Sequence, residues 1–238
     1  MANELESIIK DFWEVGAEVL PKLSSMNPKK RIAKFVGIYS EFLVHADSII
    51  QGEINGVNVK CKEGCSYCCD HLIVANTGQL VVINEYLNEY PLVREGFIPK
   101  YPQWDDAFEP YREAFWYSVS RLKTEKATFD YISSVFSSPC PFLDDGKCSI
   151  YEVRPIMCRS WYSKRKFTSC KYNSKIKKLE IQCEEEIVQK ILALEHYFLA
   201  QFGMREVPPG AGIMTLPHGI YYMKESARFM AGLRSKMS

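Results

Sequence analysis

Residues 61–69, Cys61-Lys62-Glu63-Gly64-Cys65-Ser66-Tyr67-Cys68-Cys69, place four of the chain's nine cysteines within one loop or helical turn. The stretch reads as half of a metal site. A tight turn can aim the sulfurs of Cys61, Cys65 and Cys68 at one point, and Cys65 and Cys69 are also four apart. The adjacent pair Cys68 and Cys69 is harder to use together, because neighbouring side chains diverge by about 100° on a helix and by more on a strand. Either one of the two is a packing thiol beside the metal, or two sites interleave. The other half lies in Cys140-Pro-Phe-Leu-Asp-Asp-Gly-Lys-Cys148-Ser-Ile-Tyr-Glu-Val-Arg154-Pro-Ile-Met-Cys158-Arg159, with Cys170 just beyond.

Within that second segment Asp145-Gly146 is a turn signal, so Cys140 and Cys148 are expected to flank a hairpin-like knuckle. Pro155 suits the first turn of a helix. That helix would set Cys158 near its N-terminus, where the dipole and free N–H groups are expected to lower the thiol pKa. From Val153 to Leu179 there is no acidic residue, whereas Arg154, Arg159, Lys164, Arg165, Lys166, Lys171, Lys175, Lys177 and Lys178 are all basic. A four-thiolate site is negative, and such cations offset it. Arg154 and Arg159 are therefore the expected cofactor-side cations, with a solvated basic surface as the plainer alternative for the lysines.

Working outward, the 238 residues, 47% of them hydrophobic, suffice for one large domain or two small ones. A net charge of +1 carries no message about nucleic acid, and the aromatics have little basic charge between them. The N-terminus interleaves charged and apolar residues, unlike a secretory signal, and the apolar runs are far shorter than the roughly 20 residues that cross a bilayer. A soluble, cytoplasmic protein with no membrane contact is expected. In a reducing compartment, clustered cysteines are metal ligands or redox thiols more often than disulfides.

Apolar spacing predicts a helix over Leu5–Val19, then a second from Asn27-Pro28 to Gly52, the two forming an antiparallel hairpin. His45 sits beside the second helix's apolar stripe and reads as a core residue, not a ligand. Asn55-Gly56 suggests a short β-ribbon over 54–59. Asn76 and Thr77 cap a helix that stops at Pro91, and the proline-bearing stretch 91–104 reads as irregular. Helices follow over 108–122, 129–136, 181–202 and 220–230, with residues 207–219 as a loop whose His218 is either in a linker or on a lid. The expected fold is mainly α. It forms a single domain over 1–238, made of an N-terminal helical hairpin (1–52), a cysteine module with inserted helices and little β structure (53–180), and C-terminal helices (181–238).

The segment from Cys61 to Cys170 resembles the CxxCxxCC, or YkgJ-like, cysteine-cluster proteins, a family described as zinc- or iron-chelating. The likeness rests on the Cys68-Cys69 pair, on C-P-F-L at Cys140, on C-S-I-Y at Cys148, on R-P at Arg154 and on C-R at Cys158. Three residues instead of two separate Cys61 from Cys65, which makes Cys61 the least secure match, and Cys183 has no counterpart. The resemblance implies a bound metal, with Cys61, Cys65, Cys68, Cys69, Cys140, Cys148, Cys158 and Cys170 as the ligand pool. An iron–sulfur cluster, 4Fe-4S in type, is the first expectation; zinc in a closed tetrahedral site is the alternative. The flagellin lysine methylases carry a similar cysteine cluster, so modification of a protein or peptide substrate is one concrete form of the chemistry. A zinc-stapled interaction module and a metal carrier or redox sensor are the competing functions. No P-loop, HExxH or Ser-His-Asp pattern competes, and the oligomeric state is open.

Overall fold

The computed structural model describes residues 26–59, 61, 64–163, 181, 184–200 and 213–223. The expected helix over 5–19 and its hairpin, Cys170, Cys183 and the basic run from Lys164 to Lys178 lie outside the described residues. The fold is mainly helical, and no described helix is long and apolar enough to cross a membrane. The described residues fall into two compact units. One comprises 26–59, 61, 159–163, 181 and 184–200; the other comprises 64–158 and 213–223.

The first unit is built on helix α1, Pro28–Ile54. Asn27 caps it: the side-chain carbonyl accepts from Lys30 N–H at 2.9 Å, and Pro28 occupies the first turn, where no N–H is needed. The buried face carries Phe35, Ile38, Tyr39, Phe42, Leu43, Ala46, Ile50 and Ile54. That stripe is rotated from the one expected, since Ile32, Val36 and Ile49 are only half-buried, and His45 is exposed, not in the core. Helix α8, Glu184–Ala200, packs on α1 and contributes Ile187, Ile191 and Leu194. Each such side chain is worth roughly 1.5–3 kcal/mol when fully buried. The β-ribbon expected over 54–59 does not form. The helix runs on through Ile54, and Gly56, with φ +77°, turns the chain out of its last turn, with Asn55 N–H bonded to the Gln51 carbonyl.

The second unit opens with a 3₁₀ turn, Tyr67–Asp70, and strand β1, Val74–Ala75. Helix α2, Thr77–Glu89, starts on a full capping box, in which the Asn76 side chain accepts from Gln79 N–H and the Gln79 side chain accepts from Asn76 N–H. The stretch expected to be irregular contains two helices, α3 (Pro91–Phe97) and α4 (Tyr101–Phe108). Pro91 and Pro102 sit in their first turns and start helices instead of breaking them, while Pro99 lies in the turn between. Helices α5 (Arg112–Val119) and α6 (Leu122–Val135) pack on each other. Strands β2 (Leu143–Asp144) and β3 (Lys147–Cys148) form a hairpin, and the short helix α7, Ile156–Arg159, follows it.

The aromatic core of this unit gathers Phe97, Tyr101, Trp104, Phe108, Phe115, Phe136 and Phe142 with Leu80, Ile83 and Leu87. Residues 213–223 return to it: strand β4, Met214–Thr215, pairs antiparallel with β1, in the register Val74↔Thr215 and Ala75↔Met214. The segment expected as a loop up to His218 thus holds a strand and, from residue 216, helix. Partner strand and aromatic packing override its loop-like composition.

Candidate functional site: a nest of thiols

Three backbone devices bring the two cysteine segments together in the second unit. Cys140 N–H donates to the Cys69 carbonyl and Ser138 N–H to the Asp70 carbonyl, both at 2.9 Å. Leu143 N–H closes a turn onto the Cys140 carbonyl at 2.9 Å, with Pro141 at the second position, where its fixed φ is favoured. The hairpin then turns on Asp145 (φ +46°) and Gly146 (φ +74°), the mirror-image turn that matches strand twist, and pairs Leu143 with Cys148. The knuckle expected at Cys140 and Cys148 is therefore present. Cys158 enters from α7, its N–H bonded to the Pro155 carbonyl.

The sulfurs feel one another. Burial is the largest influence on Cys140 and pushes its pKa up to about 12; Phe142 N–H opposes this, and the charges of Cys148, Asp70 and Cys68 add to it. Cys158 is raised well above the ordinary thiol value by burial first, and then by Cys140, Cys148 and Cys68, with Arg154 opposing. This reverses the expected lowering of Cys158: it lies inside a four-residue helix, and desolvation among other thiols outweighs any dipole. Within the adjacent pair, Cys68 and Cys69 act on each other. The interaction lowers the Cys68 pKa and raises that of Cys69. Cys140 and Cys158 each feel Cys68 and Cys148, and Cys69 feels Cys68, Cys140 and Cys158. All seven described cysteines are half-buried thiols. Among the described residues, no three Cys, His, Asp or Glu side chains stand around one point in ligand geometry.

Cys65 belongs to the same unit and is half-buried. Cys61 falls in the other unit, where its sulfur accepts from Ser163 N–H at 3.3 Å. The two arginines part company as well. The Arg154 guanidinium lies over the Tyr151 ring, 3.9 Å from its centroid, and its charge acts on both Cys68 and Cys158. Arg159 is buried in the first unit in an ion pair with Asp47.

A second polar cluster in the second unit has no signature in the sequence. His218, fully buried, contacts Asp105 Oδ1 through Nε2 at 2.7 Å and Thr215 Oγ1 through Nδ1 at 2.6 Å. Nε2 thus faces both the Asp105 carboxylate, which only accepts, and Arg112 Nη1 at 3.0 Å, which only donates, while Nδ1 pairs with the Thr215 hydroxyl. Arg112 holds Asp105 Oδ1 at 2.9 Å and Glu109 Oε2 at 2.5 Å. Tyr101, Trp104 and Phe108 pack their rings edge-on against the imidazole. Burial lowers the His218 pKa, against the pull of Asp105. With Thr215 and His218 both sealed from solvent, the array is a structural latch for residues 213–223 and not a nucleophile with its base.

Comparison with family models, with curated proteins and with solved structures found no match to this chain.

Proposed function

We propose that this chain is a metal-binding cysteine-cluster protein whose centre is held by Cys68, Cys140, Cys148 and Cys158. Its cargo is an iron–sulfur cluster, 4Fe-4S in type, used in redox or group-transfer chemistry on a protein or peptide. The observation that carries this is the main-chain bond that sets Cys140 against the Cys68–Cys69 turn, together with the hairpin that holds Cys148, all with half-buried thiols. An all-sulfur donor set suits iron–sulfur clusters or zinc and is wrong for calcium or magnesium. When bound, an iron–sulfur cluster supplies electron transfer at a potential set by nearby charge and hydrogen bonds. Arg154 is the cation that would offset the thiolates, since its charge acts on Cys68 and Cys158.

Zinc as a structural staple is the second reading. It is favoured by the elements that bear these thiols, which are a four-residue 3₁₀ turn, a hairpin of two-residue strands and a four-residue helix. Pieces that short do not hold themselves together in water, and a tetrahedral metal site would supply the missing free energy.

Anaerobic purification without added metal, followed by iron, acid-labile sulfide and zinc quantitation and a visible spectrum, separates the two. Brown protein with matching iron and sulfide supports the cluster. Colourless protein with one zinc per chain moves the function to a binding module without catalysis. Protein that holds neither after reconstitution overturns the metal centre altogether.

A further inference from the structure

The hairpin that carries Cys148 is too short to fix its own position, so something outside it must do so. Its hydrogen bonding shows where. Ser149 N–H donates to the Phe142 carbonyl at 2.9 Å, and Asp144 faces Lys147 at the turn. Leu143 and Cys148, between those two rungs, therefore form the pair that does not bond across the ladder, and the Leu143 carbonyl points away from its partner strand. That outward carbonyl is the acceptor for Lys100, whose Nζ lies 2.5 Å from it and 3.0 Å from Asp144 Oδ1. Three residues before Lys100, Phe97 stacks on Phe142, with ring centroids 4.7 Å apart and an interplanar angle of 22°. Both rings are buried. One turn of chain between α3 and α4 thus grips the hairpin twice, by an apolar stack at one residue and a charged clamp at the next two.

We propose that Lys100 is a positioning residue of the thiol nest, with Phe97 as its apolar companion: together they seat the Cys140–Cys148 knuckle so that its sulfurs face Cys68 and Cys158. This rests on the thiolate-centre reading for its metal arm only. Lys100 touches no sulfur. It acts through Leu143, whose N–H holds the Cys140 carbonyl and whose cross-strand partner is Cys148. A lysine can do this because its ammonium donates to a carbonyl and to a carboxylate at once. A methionine fills the same space and donates nothing, whereas an arginine donates to both acceptors.

The test compares the wild type, Lys100→Met and Lys100→Arg as full-length chains. Cobalt(II) is added to the metal-free protein, the sulfur-to-cobalt charge-transfer band is recorded, and a chelator then withdraws the metal. Lys100→Met is expected to lose cobalt roughly tenfold faster than wild type, the size of effect seen for residues that orient metal ligands, and Lys100→Arg to restore the rate. In parallel, metal-free protein is alkylated and each cysteine is followed by mass spectrometry. Cys148 is expected to react several-fold faster in Lys100→Met, with Cys68 unchanged, since only the hairpin is released. Wild type that shows no charge-transfer band overturns the metal centre while the alkylation arm still judges the seat. Equal Cys148 rates in wild type and Lys100→Met overturn the seat, as does acceleration at every cysteine alike, which is general loosening. An effect that Lys100→Arg does not rescue overturns the clamp as its cause.

Discussion

The backbone N–H of Cys140 donates to the carbonyl of Cys69 at 2.9 Å, joining two cysteine segments that lie far apart in sequence. The bond is made by main chain, so the two segments are held side by side whether or not a sulfur is ionised. Side-chain chemistry then decides which thiols the arrangement serves. Cys158→Ser and Cys61→Ser should separate cleanly. Cys158 sits among Cys140, Cys148 and Cys68, whereas Cys61 belongs to the other unit and its sulfur takes an amide hydrogen bond from Ser163. Metal analysis after reconstitution should find Cys158→Ser depleted severalfold and Cys61→Ser at the wild-type level. Equal depletion in both would sink the four-thiol assignment.

Gly146 holds φ +74° at the hairpin tip, beside Asp145 at +46°. A left-handed conformation costs a residue with a Cβ about 1–2 kcal/mol, less for Asn and Asp, which explains the aspartate at the first position. Gly146→Ala should therefore lower stability by about 1 kcal/mol and Gly146→Asn by less, read from urea unfolding. If alanine and asparagine cost the same, backbone strain is not what the glycine relieves.

Gly219 has no room for a side chain. A Cβ there would lie 2.4 Å from Leu80 Cδ1 and 2.6 Å from Cδ2, and Leu80 is buried at the head of α2. Overpacking of this kind costs roughly 1–3 kcal/mol. Gly219→Ala should destabilise by that amount, and adding Leu80→Ala should recover part of it, because the cavity of one change accepts the methyl of the other. Strict additivity of the two losses would show that they do not meet.

Much of this was legible locally. Asn27-Pro28 and Asn76-Thr77 mark two helix starts in the sequence because capping is a matter of three or four residues. Asp145-Gly146 announced the hairpin for the same reason. The prolines at 91 and 102 misled because one residue type both breaks a helix interior and begins a first turn, and only the packing of Phe97, Tyr101 and Trp104 decides between them. The expected lowering of Cys158 has the wrong sign because a helix position is local, whereas burial and the charges of thiols remote in sequence are not. Lys100 on Leu143, and His218 on Asp105, join residues separated by tens of positions, and neither carries a motif.

The His218 latch makes stability fall with acid, and the sign follows from its burial. In the unfolded chain the imidazole titrates near its ordinary value of 6.5; in the fold burial holds it lower, with the Arg112 cation adding to that and Asp105 and Glu109 opposing. Between those two values the unfolded state binds more protons, so the stability that the neutral ring contributes is complete above about pH 6.5 and is lost as pH falls toward the folded pKa. Protonation would also set a donating Nε2–H and a positive ring against the Arg112 guanidinium, whose Nη1 lies 3.0 Å away. Melting temperatures at pH 7.5, 6.0 and 5.0 should therefore drop more steeply for wild type than for His218→Gln, which is weaker at pH 7.5 but has no ring to titrate. Hydrogen exchange should place the loss at residues 213–223 and the β1 rung that Thr215 pairs with. Parallel slopes for the two proteins would move the acid sensitivity to other groups and leave His218 as packing alone.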